Sequence, residues 1–193
     1  MKQAKTLLLA SGSPRRAELL NQVGIRYRVI VTDVDEQRRP GEEPADYVCR
    51  LAAEKAAAGL AMSAEPMPSL GADTVVLLDD QVLGKPRDLA ESAAMLERLS
   101  GRSHQVLSAV GLVVPDGARR VDLNVTTVTF APMPDAFIRW YCAQVETLDK
   151  AGAYAIQGPA GQFVRRIEGS YSGVMGLPLF ETCALLRALG VLS

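Results

Sequence analysis

The first thirty residues carry a strand–helix–strand pattern, which constrains the fold of this chain more than any other feature of its sequence. The apolar run 7–10 is typical of a buried strand. Ser13 followed by Pro14 marks a helix start, because serine caps helices and proline fits their first turn. Gly24 marks the end of that helix, and the alternation over 27–31 predicts a second strand. A chain that opens in this order is typical of α/β proteins.

The rest of the chain continues to alternate between predicted helices and strands. The further elements are a helix over about 43–62, a strand 70–78 interrupted at 71–74, a hairpin strand 81–83, a helix from 88 to about 99, strands 106–114 and 121–130, a helix 135–145, a strand-like pair 163–164 and a last helix 178–189. The length of 193 residues suits a single domain with a real core. We therefore predict an α/β fold with a substantial sheet, forming one domain over residues 1–193 without a clear linker.

The charge balance limits the classes of partner. The formal net charge is −1, so the chain as a whole creates no positive field that would attract nucleic acid or an anionic membrane surface. We therefore expect neither nucleic acid nor a membrane as partner. Any anionic ligand has to be held by a local cluster of cations and backbone N–H groups.

The cysteines and the start of the chain bear on the compartment. Cys49, Cys142 and Cys183 are far apart and without CxxC spacing, which favours buried thiols in a reducing compartment over a zinc site or a disulfide framework. The basic segment 1–5 precedes an apolar run that is too short for a signal peptide, and no segment approaches the roughly 20 apolar residues of a membrane span. We expect a cytoplasmic protein.

The first candidate site is the segment Ser11-Gly12-Ser13-Pro14-Arg15-Arg16, between the first strand and the first helix. Small residues allow a ligand to approach the backbone, and a helix N-terminus presents unpaired N–H groups to anions. Arg15 and Arg16 add forked donors that suit phosphate. A plain capped helix with solvated arginines explains the segment equally well. Neither a Walker A loop nor a GxGxxG motif is present.

The second candidate is Asp73, which lies within an apolar, strand-like run. A carboxylate in such a run is costly to bury unless it is paired or binds a metal ion. It can hold Mg²⁺ or orient a water molecule, and we favour these roles over a purely structural aspartate because perturbed carboxylates cluster at functional sites.

Several charged residues are candidates whose role the residues alone leave open. Lys85 and Arg87 follow the predicted hairpin and suit a phosphate clamp, although a solvated loop with Asp88 as helix cap is equally consistent. Lys55 lies beside the apolar face of the long helix, where a lysine more often extends to solvent than meets an anion. Glu36 lies in a charged loop, where most such residues are only solvated.

Two segments near the end of the chain are loop-like, and the single histidine adds no catalytic motif. Gln157 lies between apolar Ile156 and Gly158, and its amide can recognise a base edge. The segment 169–178 is a loop of small residues that leads to the last helix. His104 is the only histidine, which excludes a metal site made of histidines, and we interpret it as structural or superficial.

Taken together, these segments resemble the Maf family over almost the whole chain, from Leu9 to about Leu186. The matching motifs, in order, are Ser11-Gly12-Ser13-Pro14-Arg15-Arg16, Glu54-Lys55-Ala56, Gly71-Ala72-Asp73-Thr74-Val75, Lys85-Pro86-Arg87-Asp88, Asp149-Lys150-Ala151-Gly152-Ala153-Tyr154 with Gln157-Gly158, and Gly169-Ser170-Tyr171 with Gly176-Leu177-Pro178-Leu179. The resemblance implies a Maf/Ham1 fold similar to that of ITPases, in which an elongated mixed sheet with helices forms two lobes around a central cleft, and it implies a homodimer.

The resemblance also implies an activity and a set of site residues. The activity is hydrolysis of a nucleoside triphosphate between its α- and β-phosphates, with Mg²⁺ or another divalent ion such as Mn²⁺ or Co²⁺ as cofactor. The phosphate ligands implied are Ser11, Arg15, Arg16, Lys55 and Lys85; Asp73 is implied as proton acceptor or metal ligand, with Glu36 assisting the metal. Arg15, Thr74 and Gln157 resemble the residues that select dTTP and UTP in one subgroup of the family.

Two alternatives remain open at this point. One is the sister subgroup that cleaves 7-methyl-GTP, although Gln157 argues against it because the pocket would have to accept a purine. The other is a regulator without catalytic activity that inhibits cell division, since the family is associated with septum formation.

Overall fold

The computed structural model describes residues 6–192, so the basic segment 1–5 discussed above lies outside the described residues. The strands are β1 (Leu7–Ala10), β2 (Tyr27–Ile30), β3 (Ser69–Leu78), β4 (Gln81–Leu83), β5 (Ser103–Val113), β6 (Arg119–Phe130) and β7 (Val164–Glu168). The helices are α1 (Pro14–Gln22), α2 (Pro44–Met62), α3 (Leu89–Leu99), α4 (Asp135–Gln144), α5 (Tyr171–Val174) and α6 (Leu179–Ala188), with 3-10 turns at Ala151–Ala153 and Pro159–Phe163. Within the described residues, no helix has both the length and the apolar character needed to cross a membrane.

The seven strands form one mixed sheet in the order β2-β1-β3-β5-β6-β7, with β4 paired to β3. Strand β1 is parallel to both β2 and β3, whereas β3 pairs with β4, and β6 with β7, in the antiparallel sense. All four residues of β1 are buried, which explains why its sequence is a continuous apolar run instead of an alternating one. The predicted α/β class is confirmed.

Local signals in the sequence account for several element boundaries. Helix α1 begins at Pro14, as expected, but Ser13, in extended conformation before it, makes no side-chain hydrogen bond that caps the helix. Asp79 and Asp80 both adopt positive φ angles, 49° and 62°, and this geometry closes the tight turn between β3 and β4. Asp88 caps α3, because its Oδ1 accepts the backbone N–H of Glu91 at 2.8 Å.

Two expectations for the secondary structure were wrong. Strand β3 is continuous through 71–74, where we had expected an interruption, because Gly71 lacks a side chain and lets helix α2 pack directly on the strand. The segment 169–178 is not only a loop: it contains the short helix α5, whose start is capped by Ser170 Oγ, which accepts the N–H of Gly173 at 3.0 Å.

The chain divides into two compact units. The first comprises the residues up to Asp73 together with 108–124 and those from Gly176 onward; the second comprises 74–107 and 125–175. In the first unit, the buried face of α2, which includes Val48, Leu51 and Ala52, contributes to a core with Leu7 and Leu9 of β1.

The second unit has its own core of aromatic and aliphatic side chains. Tyr141 of α4 is fully buried, and Phe130 of β6 is 2% exposed. The rings of Phe130, His104 and Tyr154 lie within 5.5 Å of one another, centroid to centroid. Burial therefore explains the single histidine, which we had interpreted as structural or superficial: it belongs to this core.

Candidate active site

The start of α1 places one serine and one arginine in direct contact. Ser11 is buried at the end of β1, and its Oγ accepts the backbone N–H of Ser13 at 3.2 Å and Arg16 Nη1 at 3.1 Å. Arg16 Nε also donates to the carbonyl oxygen of Gly176 at 2.8 Å. Arg16 and Gly176, which are 160 residues apart in the sequence, therefore meet within the first unit. Arg15 is half-buried in the same helical turn.

The guanidinium of Arg16 is held in place by groups of the protein itself. Burial lowers its pKa from the ordinary value, the charge of Asp73 opposes this, and Arg15 adds to the lowering. Arg16 and Asp73 are therefore close enough for their charges to interact. Because an arginine stays protonated throughout the physiological range, it offers a permanent positive charge in this part of the unit.

Lys55 lies on the buried face of α2 and does not extend to solvent. Only 8% of the residue is exposed, and its Nζ contacts Asp73 Oδ1 at 2.7 Å and Glu36 Oε1 at 2.6 Å. One ammonium group therefore bridges two carboxylates. The residues alone favoured a solvated lysine, whereas the structure shows a lysine that meets anions.

Asp73 is the most deeply buried carboxylate of this cluster, at 7% exposure on β3. Burial raises its pKa above the ordinary value, the charges of Lys55 and Arg16 counteract that effect, and Glu36 adds to it. A carboxylate with a raised pKa has a higher proton affinity than one in water, which suits a proton acceptor.

Two glycines explain how Lys55 reaches Asp73. A Cβ atom at Gly71 would lie 2.4 Å from the carbonyl oxygen of Ala52 and 2.5 Å from the nitrogen of Ala56, and one at Gly111 would lie 2.8 Å from the same oxygen of Ala52. The backbone of α2 therefore packs directly on β3 and β5 where these strands lack a side chain. This close approach brings the buried side of α2, which carries Lys55, next to Asp73.

Tyr47 is a functional candidate that the sequence analysis missed. It is half-buried on α2, and its hydroxyl donates to the carbonyl oxygen of Glu36 at 2.7 Å. Burial raises its pKa, and the charges of Asp73 and Glu36 raise it further. The only signal in the sequence was the polar end of a residue on an otherwise apolar stripe.

The remaining candidates belong to the second unit. Thr74 is half-buried and directly follows Asp73 along β3, and Lys85 is exposed after β4. Arg87 Nε forms an ion pair with Glu91 of α3 at 2.9 Å. Gln157 is exposed between the two 3-10 turns.

The segment that leads to Gln157 has an unusual backbone. Ala153 adopts φ of 63°, which is strained for a residue with a side chain. Gly152 has φ of 68° and packs against Val76. A Cβ atom at Gly152 would lie 2.9 Å from the side chain of Val76. Strained backbone of this kind clusters at functional sites, which gives this segment a second mark of function besides its sequence motif.

Comparison with solved structures identifies the fold. The structure is similar to that of the Ham1 protein of Staphylococcus aureus, with a TM-score of 0.52 and 16% identity, covering 96% of this chain and 100% of that chain. The likeness defines the class of fold, and the expected Ham1-type fold is confirmed.

Sequence comparison defines the family. Residues 6–189 match the family described as Maf-like protein, and the chain belongs to the Maf family. It is 55% identical over 182 residues to the dTTP/UTP pyrophosphatase of Shigella dysenteriae serotype 1, a match that covers 94% of this chain and 91% of that protein. The dTTP/UTP pyrophosphatase of Escherichia coli strain K12 matches with the same identity and coverage.

Proposed function

We propose that this protein hydrolyses dTTP and UTP between the α- and β-phosphates, releasing the nucleoside monophosphate and pyrophosphate. The observation that carries the proposal is the buried Asp73, held by Lys55 beside Arg16 and Glu36, in a chain 55% identical to dTTP/UTP pyrophosphatases over almost its whole length. A buried carboxylate among cations suits a hydrolase of polyanions, because the carboxylate can accept a proton from water while the cations stabilise charge on the phosphate oxygens.

The cations are proposed to hold the phosphates. Ser11, Arg15, Arg16, Lys55 and Lys85 are the phosphate ligands of this proposal. Fixed guanidinium and ammonium groups stabilise the negative charge that spreads over the phosphoryl oxygens as the bond to the leaving group weakens. Lys55 would exchange part of its present contact with Glu36 and Asp73 for phosphate oxygens when substrate binds.

The two carboxylates are proposed to serve the attacking water and a divalent cation. Asp73 accepts the proton of the water that attacks phosphorus, or binds the metal, and Glu36 assists the metal. Within residues 6–192, no group of three or more His, Cys, Asp or Glu side chains could hold a metal ion by itself. A pair of carboxylates nevertheless fits Mg²⁺, which proteins commonly bind through one or two carboxylates together with substrate phosphates.

A bound divalent cation would supply charge stabilisation on the phosphate oxygens and orient the substrate. Mn²⁺ or Co²⁺ would be able to replace Mg²⁺, since carboxylate and phosphate oxygens suit all three. EDTA is expected to stop pyrophosphate release, and an excess of Mg²⁺ is expected to restore it. Release that continues at the same rate in EDTA would contradict the proposed cofactor.

Selection of the base is proposed to rest on Arg15, Thr74 and Gln157. The amide of Gln157 can both donate to and accept from the edge of a pyrimidine. We further propose that the protein works as a homodimer in the cytoplasm, a state that light scattering after size exclusion would test. The three cysteines are all free thiols, consistent with a reducing compartment.

A panel of triphosphates tests the proposal. Pyrophosphate release would be measured with Mg²⁺ for dTTP, UTP, CTP, GTP, ATP and 7-methyl-GTP. We expect release from dTTP and UTP. Release mainly from 7-methyl-GTP would contradict the proposed roles of Thr74 and Gln157. It would still support cleavage between the α- and β-phosphates. Release from none of them would contradict the enzymatic function and favour the regulator of cell division.

A further inference from the structure

Glu36 lies in a segment without helix or strand, residues 31–43, which we call the Glu36 loop. Most of this loop is exposed, and the side chain of Glu36 is 47% exposed. A stretch of this length has no internal hydrogen-bond ladder, so its conformation depends on contacts with its surroundings. Yet the Glu36 carboxylate is placed 2.6 Å from Lys55 Nζ.

Arg50 of α2 joins the far end of this loop to the helix. Its Nε and Nη2 donate to the two carboxylate oxygens of Glu42, at 2.6 and 2.9 Å, which is a bidentate pair. The same guanidinium donates from Nη1 to Glu54 at 3.0 Å. The side chains of Arg50 and Glu42 are only 14% and 11% exposed, so this pair is far better shielded than a typical surface ion pair.

Two further bonds reach the loop backbone, one at Glu36 and one at Gln37. Arg50 Nη2 donates to the carbonyl oxygen of Gln37 at 3.1 Å, and the hydroxyl of Tyr47 donates to the carbonyl oxygen of Glu36 at 2.7 Å. The Arg50 guanidinium also lies over the ring of Tyr47, 5.6 Å from its centroid. Tyr47 and Arg50 are three residues apart, so they share one face of α2 and act on adjacent peptide groups of the loop.

Glu42 connects Arg50 to other residues of the Glu36 loop. Its carboxylate accepts the backbone N–H of Arg39 at 3.0 Å, and its carbonyl oxygen accepts Nε of Arg38 at 2.8 Å. Residues 38–42 are therefore closed on themselves, and Arg50 fastens the closed segment to α2. Since Lys55 belongs to the same helix, one rigid element carries both the anchor of the loop and the ammonium that Glu36 contacts.

We propose that Tyr47 and Arg50 are positioning residues that hold the Glu36 carboxylate at Lys55 and thereby set the rate of the reaction. The inference rests on the proposed function, in which Glu36 takes part. It differs from a purely structural role in one respect: the two residues bind the carbonyl groups of Glu36 and Gln37, so their loss displaces one reacting-site carboxylate and leaves the core of the unit intact.

Steady-state kinetics on dTTP test the proposal with Tyr47→Phe, Arg50→Met, Glu36→Gln and the double variant Arg50→Met/Glu36→Gln. Losing a group that orients a functional ligand commonly lowers activity about 10- to 100-fold. We expect Arg50→Met to lower kcat about tenfold or more with little change in KM, and Tyr47→Phe to act in the same direction. In the Glu36→Gln background, Arg50→Met is expected to have almost no further effect, since the two residues act as one unit.

The matched control is Arg28→Met, which breaks another arginine–glutamate pair, Arg28 with Glu65 at 3.1 Å, on the exposed side of β2. This variant is expected to keep the kcat of the wild type. Amide hydrogen exchange supplies a readout that is independent of activity: exchange within 37–42 is expected to be faster in Arg50→Met and unchanged in Arg28→Met.

The outcomes separate this inference from the proposed function. If Glu36→Gln lowers kcat while Arg50→Met and Tyr47→Phe do not, the positioning role is wrong and the proposed function stands. If Arg50→Met raises KM at constant kcat, or lowers only the folded fraction, the positioning role is also wrong. If Glu36→Gln keeps the kcat of the wild type, the role proposed for Glu36 fails, and this inference fails with it.

Discussion

Replacing Gly71 with alanine is expected to push α2 away from β3 and to separate Lys55 from Asp73. The added Cβ would lie 2.4 Å from the carbonyl oxygen of Ala52 and 2.5 Å from the nitrogen of Ala56, both of which are backbone atoms of α2. Ordinary contact between such atoms begins near 3.4 Å, so the helix and the strand have to part by about 1 Å. No flexible side chain can absorb the clash.

The geometry sets the size of both effects. Overpacking of a close-packed interior costs about 1–3 kcal/mol in the free energy of unfolding. The bond from Lys55 Nζ to Asp73 Oδ1, now 2.7 Å, would lengthen beyond hydrogen-bond distance if the helix retreated by that amount and the lysine kept its present rotamer. A displacement of about 1 Å at reacting groups can lower turnover roughly 100-fold, so we expect a loss of that order in kcat on dTTP.

Urea unfolding followed by circular dichroism and a pyrophosphate-release assay would measure the two effects. The matched control for stability is Gly84→Ala, because a Cβ at Gly84 would meet no atom of residues 6–192 within 4 Å, its chain neighbours aside. That variant is expected to change the free energy of unfolding by less than about 1 kcal/mol. If Gly71→Ala unfolds at the same urea concentration as this control and turns over dTTP at the rate of the wild type, the close approach of α2 does not position Lys55.

Three further predictions concern stability. Lys55→Met leaves the buried charge of Asp73 without its nearest partner and is expected to cost about 3 kcal/mol in urea unfolding; adding Asp73→Asn should recover part of this loss, and no recovery would contradict the pairing. Burial lowers the pKa of His104 to about 4 from 6.5. Between pH 6.5 and 4 the histidine of the unfolded chain is protonated while that of the folded chain is not. The free energy of unfolding therefore falls by roughly 3 kcal/mol as the pH is lowered from above 6.5 towards 4. The free energy of unfolding of His104→Gln should not show this fall. If the difference in unfolding free energy between wild type and variant does not change with pH, the prediction is wrong. Asp88→Ala removes the cap of α3 and should cost about 1 kcal/mol, whereas an unchanged urea midpoint would show that the cap contributes nothing.

Much of the fold could be predicted because short stretches of sequence determine it. Three element boundaries depend only on residues next to them in the sequence. They are the start of α1 at Pro14, the turn between β3 and β4 at Asp79 and Asp80, and the start of α3 after the capping Asp88. The continuity of β3 through 71–74 was missed, because a glycine within a strand indicates an interruption unless the helix packed against it is known.

The candidate site was less accessible to sequence reasoning because its members meet through the tertiary structure. Lys55 on an almost apolar helix face suggests a solvated lysine until Asp73, 18 residues away, is seen 2.7 Å from it. Tyr47 offered only its polar hydroxyl as a signal and Arg50 offered none, since their partners are backbone carbonyl groups and a glutamate of the preceding loop. Asp73 was the exception, because a carboxylate in an apolar strand is unusual by itself.

The products formed from dTTP by the wild type and by Asp73→Asn test whether the protein cuts between the α- and β-phosphates with the help of this carboxylate. With Mg²⁺, the wild type is expected to form dTMP and pyrophosphate in equal amounts. Asp73→Asn is expected to stay folded, because the amide keeps the shape of the buried carboxyl group, and to turn over at least about 100-fold more slowly. Formation of dTDP and phosphate by the wild type, or turnover by Asp73→Asn at the rate of the wild type, would contradict this prediction.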